Sequence, residues 1–288
     1  MATVLITGTS KGIGLITALT LARAGHTVYA TMRNPHRATD FAKECAQEGL
    51  PIHVSVMDVD SDDSVANAIA DVYKSAGDID VLVNNAGVER NGSIEELPMA
   101  DFRVTMETNY FGAIRCAKAV IPRMRQRRNG LIINITSSAG RISTAPLGPY
   151  AASKFALEAL SEVLAQEMKA FNVRVAIVEP GVIDTPMAHE MGVPAPVSLY
   201  PRQRRMAHYF AAVLKNPTQP LVVAEKIQSI IESGTWQLRH PVGPGVEARL
   251  ASRMATSDED YIALHSSDDD TWYAIMEERT SLTIRPRD

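Results

Sequence analysis

Short apolar runs alternate with helix-patterned stretches along most of this chain, and that alternation is what most restricts its fold. Val4-Leu5-Ile6, Thr27 to Thr31, Ile52 to Met57, Val81-Leu82-Val83, Leu131 to Ile135 and Val173 to Val178 read as strands, and Trp236 to Arg239 reads as a seventh. Between them lie helical patterns at Ile13–Ala24, Arg37–Glu48, Ser61–Ala76, Met99–Arg128, Tyr150–Phe171 and Val222–Ser233. Strands that are apolar along their whole length are buried on both faces, which a parallel sheet with helices on each side provides. The expected fold is therefore α/β, a doubly wound Rossmann-type arrangement around a seven-stranded parallel sheet. Residues 1–242 form the expected catalytic domain. Residues 243–288 form an expected helical extension, patterned as Val246–Met254, Ser257–His265 and Thr271–Arg279.

The first strand runs into Thr7-Gly8-Thr9-Ser10-Lys11-Gly12-Ile13-Gly14 and then into a helix. Strand, glycine turn and helix can hold a dinucleotide, because the turn brings backbone amides and the positive end of a helix dipole to the phosphates. Gly8 suits the tight turn, Gly12 a close backbone approach and Gly14 close packing of helix on sheet. The spacing differs from G-x-G-x-x-G, so this stretch alone is also compatible with a plain structural turn.

Other segments close strands in the same way. Asn84-Asn85-Ala86-Gly87 follows the fourth strand, either as a simple turn or as amides bracing the sheet beside an adenosine. Asp58 ends the third strand, where it either accepts from an adenine amino group or caps the next helix. Pro180-Gly181 closes the sixth strand. Between Thr185 and Pro220 a long connection carries Pro186, Pro194, Pro196, Pro201 and Pro217 among Met187, Met191, Leu199, Tyr209 and Phe210. Its length and place suggest a lid near residues 186–216 over a bound small molecule. Arg202, Arg204 and Arg205, within it, read as a solvated face.

Tyr150-Ala151-Ala152-Ser153-Lys154 sets a phenol and an ammonium four residues apart, on one face of a helix. A nearby ammonium favours phenolate and is expected to lower the Tyr150 pKa, fitting the phenol for proton exchange with an alcohol oxygen. Ser137, just after the fifth strand, stands where α/β sheets bind ligands. Each residue alone fits an ordinary helix face or turn; their joint order does not.

With Asn109 in Thr108-Asn109-Tyr110, these segments resemble the short-chain dehydrogenase/reductase family over about residues 1–240. T-G-x-x-x-G-I-G, N-N-A-G, Y-x-x-x-K and P-G-x-x-x-T are all intact. The resemblance implies catalytic roles for Asn109, Ser137, Tyr150 and Lys154. Tyr150 would be the general acid or base, Lys154 would tune it and bind the nicotinamide ribose, Ser137 would orient the substrate oxygen, and Asn109 would hold a water for proton relay. It implies cofactor contacts at Gly8, Ser10, Lys11, Gly12, Ile13, Gly14, Asp58, Asn85, Ala86 and Gly87, at Pro180, Gly181, Ile183 and Thr185, and at Asn109, Tyr150 and Lys154. The family places an acid for the adenosine ribose where this chain has Met32; the next residue, Arg33, offers a planar fork suited to a phosphate, and Lys11 adds a second cation. NADP(H) is thus expected over NAD(H).

The expected reaction interconverts a ketone or aldehyde and an alcohol, with an apolar substrate and a lean toward hydroxysteroid and retinol dehydrogenases. A 3-oxoacyl-thioester reductase is the alternative within enzymes, and a dinucleotide-sensing protein with little turnover the alternative outside them. A formal net charge of −4 and 22% charged residues give no sign of a nucleic-acid or membrane partner. Cys45 and Cys116 are too few and too far apart for a disulfide framework or a metal site. A cytoplasmic protein without a metal is expected, assembled as a homodimer or homotetramer through its two long helices.

Overall fold

A computed structural model describes residues 1–37, 39–193 and 197–286. Pro194 and Pro196 of the long connection lie outside them. The chain runs β1 (Thr3–Thr7), α1 (Gly12–Arg23), β2 (Thr27–Met32), α2 (Thr39–Glu48), β3 (Ile52–Val56), α3 (Asp62–Ala76), β4 (Val81–Asn84) and α4 (Met99–Met106). It continues through α5 (Gly112–Arg127), β5 (Gly130–Ile135), α6 (Gly148–Lys169), β6 (Val173–Pro180), α7 (Pro186–Met191), α8 (Arg204–Val213), α9 (Pro220–Ser233) and β7 (Arg239–Val242). Three more helices follow, α10 (Val246–Ala255), α11 (Asp258–Ser266) and α12 (Asp269–Thr280).

The strands form one seven-stranded sheet in the order β3-β2-β1-β4-β5-β6-β7, parallel throughout. This is the expected doubly wound α/β fold. The order reverses between β1 and β4, which opens a crevice at their C-terminal ends. Alternating side chains of the central strands feed two cores. Val4, Ile6, Val83 and Ile133 meet α1 and α9 on one face, through Leu19, Leu21, Val223 and Ile227. Leu5, Leu82 and Ile132 meet α3, α5 and α6 on the other, through Ile69, Cys116, Val120 and Leu164.

Two elements differ from the sequence expectation. The helix expected over Met99–Arg128 is interrupted by a wider, π-type turn at Glu107–Phe111. Tertiary bonds to Thr108 and Asn109 hold that turn, and nothing local announces it. The seventh strand is Arg239–Val242, not Trp236–Arg239. It contains Pro241, which argues against a central strand but is tolerated at a sheet edge, and β7 pairs only with β6. Among the described residues no helix is long and apolar enough to cross a membrane.

Candidate active site

The glycine turn is built against the turn after β4. Thr7 Oγ1 accepts from the backbone amides of Asn85 at 3.0 Å and Ala86 at 2.9 Å. The Asn85 amide returns two bonds, to the carbonyls of Thr7 at 2.8 Å and Gly8 at 3.0 Å. A Cβ on Gly14 would lie 2.4 Å from both Asn85 Nδ2 and the Gly8 carbonyl oxygen, so no side chain fits there. Gly8 and Gly12 take positive φ, and a Cβ on Gly12 would meet Thr185 Cγ2 at 3.3 Å. The P-G-x-x-x-T segment therefore faces the glycine turn across the crevice. α1 opens at Gly12 with no side-chain cap from Lys11, leaving its first backbone amides directed at the crevice. Close glycine packing plus free amides at a helix start fits a dinucleotide pyrophosphate.

At the adenosine end, Met32 is buried in the core and Arg33 is exposed. The Asp58 carboxylate accepts from the Asp60 amide at 3.1 Å, closing its own turn. The cap of α3 is instead Ser61, whose side chain accepts from the Ser64 amide. Asp58 is thus not the cap, and its chain position remains beside the crevice.

The residues expected to react gather at the C-terminal ends of β4 and β5. Lys154, 4% exposed, donates to the Ile135 carbonyl at 2.9 Å and lies 5.7 Å from the centroid of the Tyr150 ring. Asn109, on the wide turn, accepts from the Val88 amide at 2.8 Å and donates to the Val88 carbonyl at 2.9 Å. It also donates to Ser153 Oγ at 2.9 Å. Ser153 in turn donates to the Tyr150 carbonyl at 2.7 Å, so Asn109, the segment after β4 and the start of α6 are tied together. Ser137 Oγ accepts from the Ala139 amide at 3.1 Å. Behind the site, Asn84 donates to Asn134 and Asn134 to Ser161, each at 2.8 Å, bracing β4 and β5 against α6.

The Tyr150 pKa moves opposite to expectation. Burial pushes the phenol up to about 12; Ser137 lowers it by hydrogen bonding and the charge of Glu89 raises it further. Burial also pushes the Lys154 ammonium down to about 8, against the pull of Glu158. Desolvation of the phenolate outweighs an ammonium already engaged by a backbone carbonyl. The site therefore presents a neutral phenol, a proton donor.

Three features lay outside the sequence reading. Glu89, two residues beyond N-N-A-G, is close enough to Tyr150 to act on its ionisation. A charged residue just past a strand-end turn at the binding edge was the available signal. Arg249 of α10 donates to Ser138 Oγ at 2.8 Å and to the Tyr209 hydroxyl at 2.6 Å, joining the tail, the loop after β5 and α8. Arg205 is not part of a solvated face. It is 3% exposed and donates to Asp269 at 2.7 Å and to the Ser267 carbonyl at 2.9 Å. Arg204 pairs with the same Asp269, and Arg202 donates to the Ser266 carbonyl. The tail supplies the acceptors, which periodicity within the connection could not reveal. Described residues on both sides of 194–196 pack together: Met191 and Phe210 lie on Leu147 with Val182, Met187, Met206 and Tyr209 around them.

The family model of the short chain dehydrogenases matches residues 2–194. Over 255 residues the chain is 34% identical to a 3-ketodihydrosphingosine reductase of Bacteroides thetaiotaomicron, covering 86% of this chain and 90% of that protein. It is 38% identical to human retinol dehydrogenase 8 over 213 residues, 72% of this chain and 68% of that one. Among solved structures it resembles an actinorhodin polyketide ketoreductase with NADPH, at a TM-score of 0.76 and 29% identity, covering 85% of this chain and 97% of the other.

Proposed function

Because this chain belongs to the short-chain dehydrogenases, oxidoreductases that act on CH–OH groups with NAD(P), we propose that it interconverts a ketone or aldehyde and the corresponding alcohol, with NADP(H) preferred. The observation that carries the reading is the meeting of Tyr150, Ser137 and Lys154 at the sheet's C-terminal edge, across from the glycine cradle.

Bound there, a nicotinamide supplies or takes up the hydride. The residues proposed to hold the dinucleotide are Gly8, Ser10, Lys11, Gly12, Ile13 and Gly14 at the phosphates, and Asp58, Asn85, Ala86 and Gly87 at the adenosine. Asn109, Tyr150, Lys154, Pro180, Gly181, Ile183 and Thr185 would hold the nicotinamide half. The chain's own chemistry is proton movement. Tyr150, held neutral by burial, donates its proton to the carbonyl oxygen during reduction and recovers one afterwards. Ser137 Oγ orients that oxygen. Lys154 stabilises the phenolate left behind and passes a proton back to it, and a water held by Asn109 returns a proton to Lys154.

The cofactor preference rests on Met32 and Arg33. Met32 offers no acceptor to a free ribose, while the exposed guanidinium of Arg33 suits a 2′-phosphate. The NADPH named with the polyketide ketoreductase agrees with this preference. The apolar cluster around Leu147 supports a bulky apolar substrate under a lid formed by α7 and α8. Phe111, Phe155 and Val163 stand exposed at the start of α5 and on α6, supporting a homodimer or homotetramer formed through those helices.

The test is NADPH consumption with apolar ketones, apolar aldehydes and acyl-thioesters, compared with NADH. Reduction of the free ketones or aldehydes, lowered about a hundredfold or more by Tyr150→Phe with cofactor affinity kept, is the expected result. Activity confined to thioesters would favour the acyl reductase, and undiminished turnover in Tyr150→Phe would overturn the assignment.

A further inference from the structure

The segment that carries Ser137 takes part of its support from the C-terminal helices. It leaves β5, turns through Ser138–Gly140 and enters α6 at Gly148. Its own bonds are short-range. Ser137 Oγ accepts from the Ala139 amide at 3.1 Å, and the Arg141 and Ile142 amides donate to the Ser138 carbonyl at 3.2 and 3.0 Å. Gly140 lies on α6, where a Cβ would be 3.0 Å from Glu158 Cγ. Two tail residues add long-range bonds. The Tyr261 hydroxyl of α11 donates to the Ser143 carbonyl at 3.0 Å and lies 2.8 Å from Thr144 Oγ1. Arg249 Nη2 of α10 donates to Ser138 Oγ at 2.8 Å.

Packing places Arg249 for this contact. α10 approaches the turn after β6 because Gly181 has no side chain: a Cβ there would be 2.7 Å from Val246 Cγ2 and 3.7 Å from Arg249 Nη2. The other branch of the guanidinium, Nη1, donates to the Tyr209 hydroxyl at 2.6 Å. Tyr209 packs against both the Leu147 cluster and the tail cluster of Trp272 and Tyr273, so this second partner is itself fixed. A guanidinium is a rigid fork, and anchoring one branch directs the other. Both partners are neutral hydroxyls, so these bonds supply direction, not charge pairing. Ser138 is buried and adjoins Ser137 in the chain. Ser137 Oγ reaches the Pro180 carbonyl only at 3.4 Å, so its place depends on the turn it caps, and Arg249 holds the first residue of that turn.

We propose that Arg249 is a positioning residue for the reaction: by fixing Ser138 it sets Ser137 where the substrate oxygen must lie, which makes α10 part of the reacting site. This rests on the oxidoreductase reading above and adds to its machinery a residue from beyond residues 2–194, the part of the chain that the family model matches.

Reduction of propiophenone, followed by NADPH consumption, tests this. Arg249→Met should lower kcat by about ten- to a hundredfold, the scale of a displaced reacting group, with KM and NADPH affinity kept within about threefold. Arg249→Lys should restore part of the loss. Ser138→Ala removes the acceptor and keeps the arginine, so it should lower kcat as Arg249→Met does, and the two changes together should cost no more than the larger alone. Losses that multiply overturn the proposal. So does wild-type kcat in Ser138→Ala, even where Arg249→Met fails to fold. Tyr209→Phe leaves Ser138 bonded and should lower kcat less than Arg249→Met; an equal loss would put the effect in α8 and not in Ser138. Amide hydrogen exchange of the ligand-free proteins gives a readout apart from turnover: residues 138–142 should exchange faster in Arg249→Met. Unchanged exchange there refutes the hold on the loop. If the wild type reduces no ketone, the oxidoreductase reading fails, and the exchange measurement still decides whether Arg249 fixes Ser138.

Discussion

Replacing Glu89 by Gln should make the protein more stable, and only at the alkaline side of its range. Burial raises this carboxyl from its ordinary 4.5 to about 7, with Glu190 adding to the rise and Arg90 and Asn91 opposing it. The native state therefore binds this proton more tightly than the unfolded chain does. The sign follows: the contribution favours folding below about pH 4.5 and is lost as pH rises to about 7, where the native state must hold a buried charge. At about 1.4 kcal/mol per pH unit, the gap between 4.5 and about 7 bounds the loss at roughly 3 kcal/mol. The side chain is partly solvated, so about 1–3 kcal/mol is the working range. Gln keeps the shape and never ionises. Urea unfolding of the two proteins without ligands, at pH 5 and pH 8, isolates the effect. The variant should gain about 1–3 kcal/mol over the wild type between those pH values, with equal slopes against urea. A stability difference that does not change from pH 5 to pH 8 would refute the reasoning, as would a gain at pH 5 alone.

Arg33→Ala should weaken NADP(H) binding by roughly ten- to a hundredfold and leave NAD(H) nearly unaffected, read by fluorescence titration; equal losses for both would remove Arg33 from the phosphate site. Gly14→Ala drives a Cβ into Asn85 and the Gly8 carbonyl, so it should cost about 1–3 kcal/mol in unfolding and cut dinucleotide affinity sharply. Wild-type behaviour by both measures would show that the turn yields more easily than its geometry implies. Arg205→Ala removes the buried donor to Asp269 and Ser267, while Asp269 keeps Arg204. A loss of about 2 kcal/mol and faster hydrogen exchange in α12 are expected; unchanged exchange there would mean that the pair does not hold the tail.

The centre of the sheet was readable because β1, β4 and β5 are buried and apolar along nearly their whole length, and parallel strands buried on both faces leave that record in the chain. The cradle was readable for a similar reason: Gly8, Gly12 and Gly14 stand where a side chain cannot, so the sequence carries the space as glycine. What escaped depends on partners distant in sequence. Residues 107–111 are compatible with a regular helix, and only their bonds to Val88, Ser153 and Asp60 widen it. Arg205 has the composition of a surface arginine until Asp269 closes on it. The direction of the Tyr150 shift was misread because spacing reveals the neighbouring Lys154 but not the burial that outweighs it. The seventh strand is Arg239–Val242 because its pairing with β6 fixes it there, and Pro241 within it has a meaning that changes between the centre and the rim of a sheet.

Arg249 touches Ser138 across 111 positions of sequence. Synthesis proceeds from the N-terminus, so every residue of T-G-x-x-x-G-I-G, N-N-A-G and Y-x-x-x-K leaves the ribosome before the arginine that steadies the loop beside Ser137. The sheet and the cradle can assemble while the chain is still growing; the loop takes its final partner only after α10 has emerged. A nascent chain halted just before α10 would then hold a formed glycine cradle with an unbraced loop after β5, and the two parts of the proposed site would be completed one after the other in time.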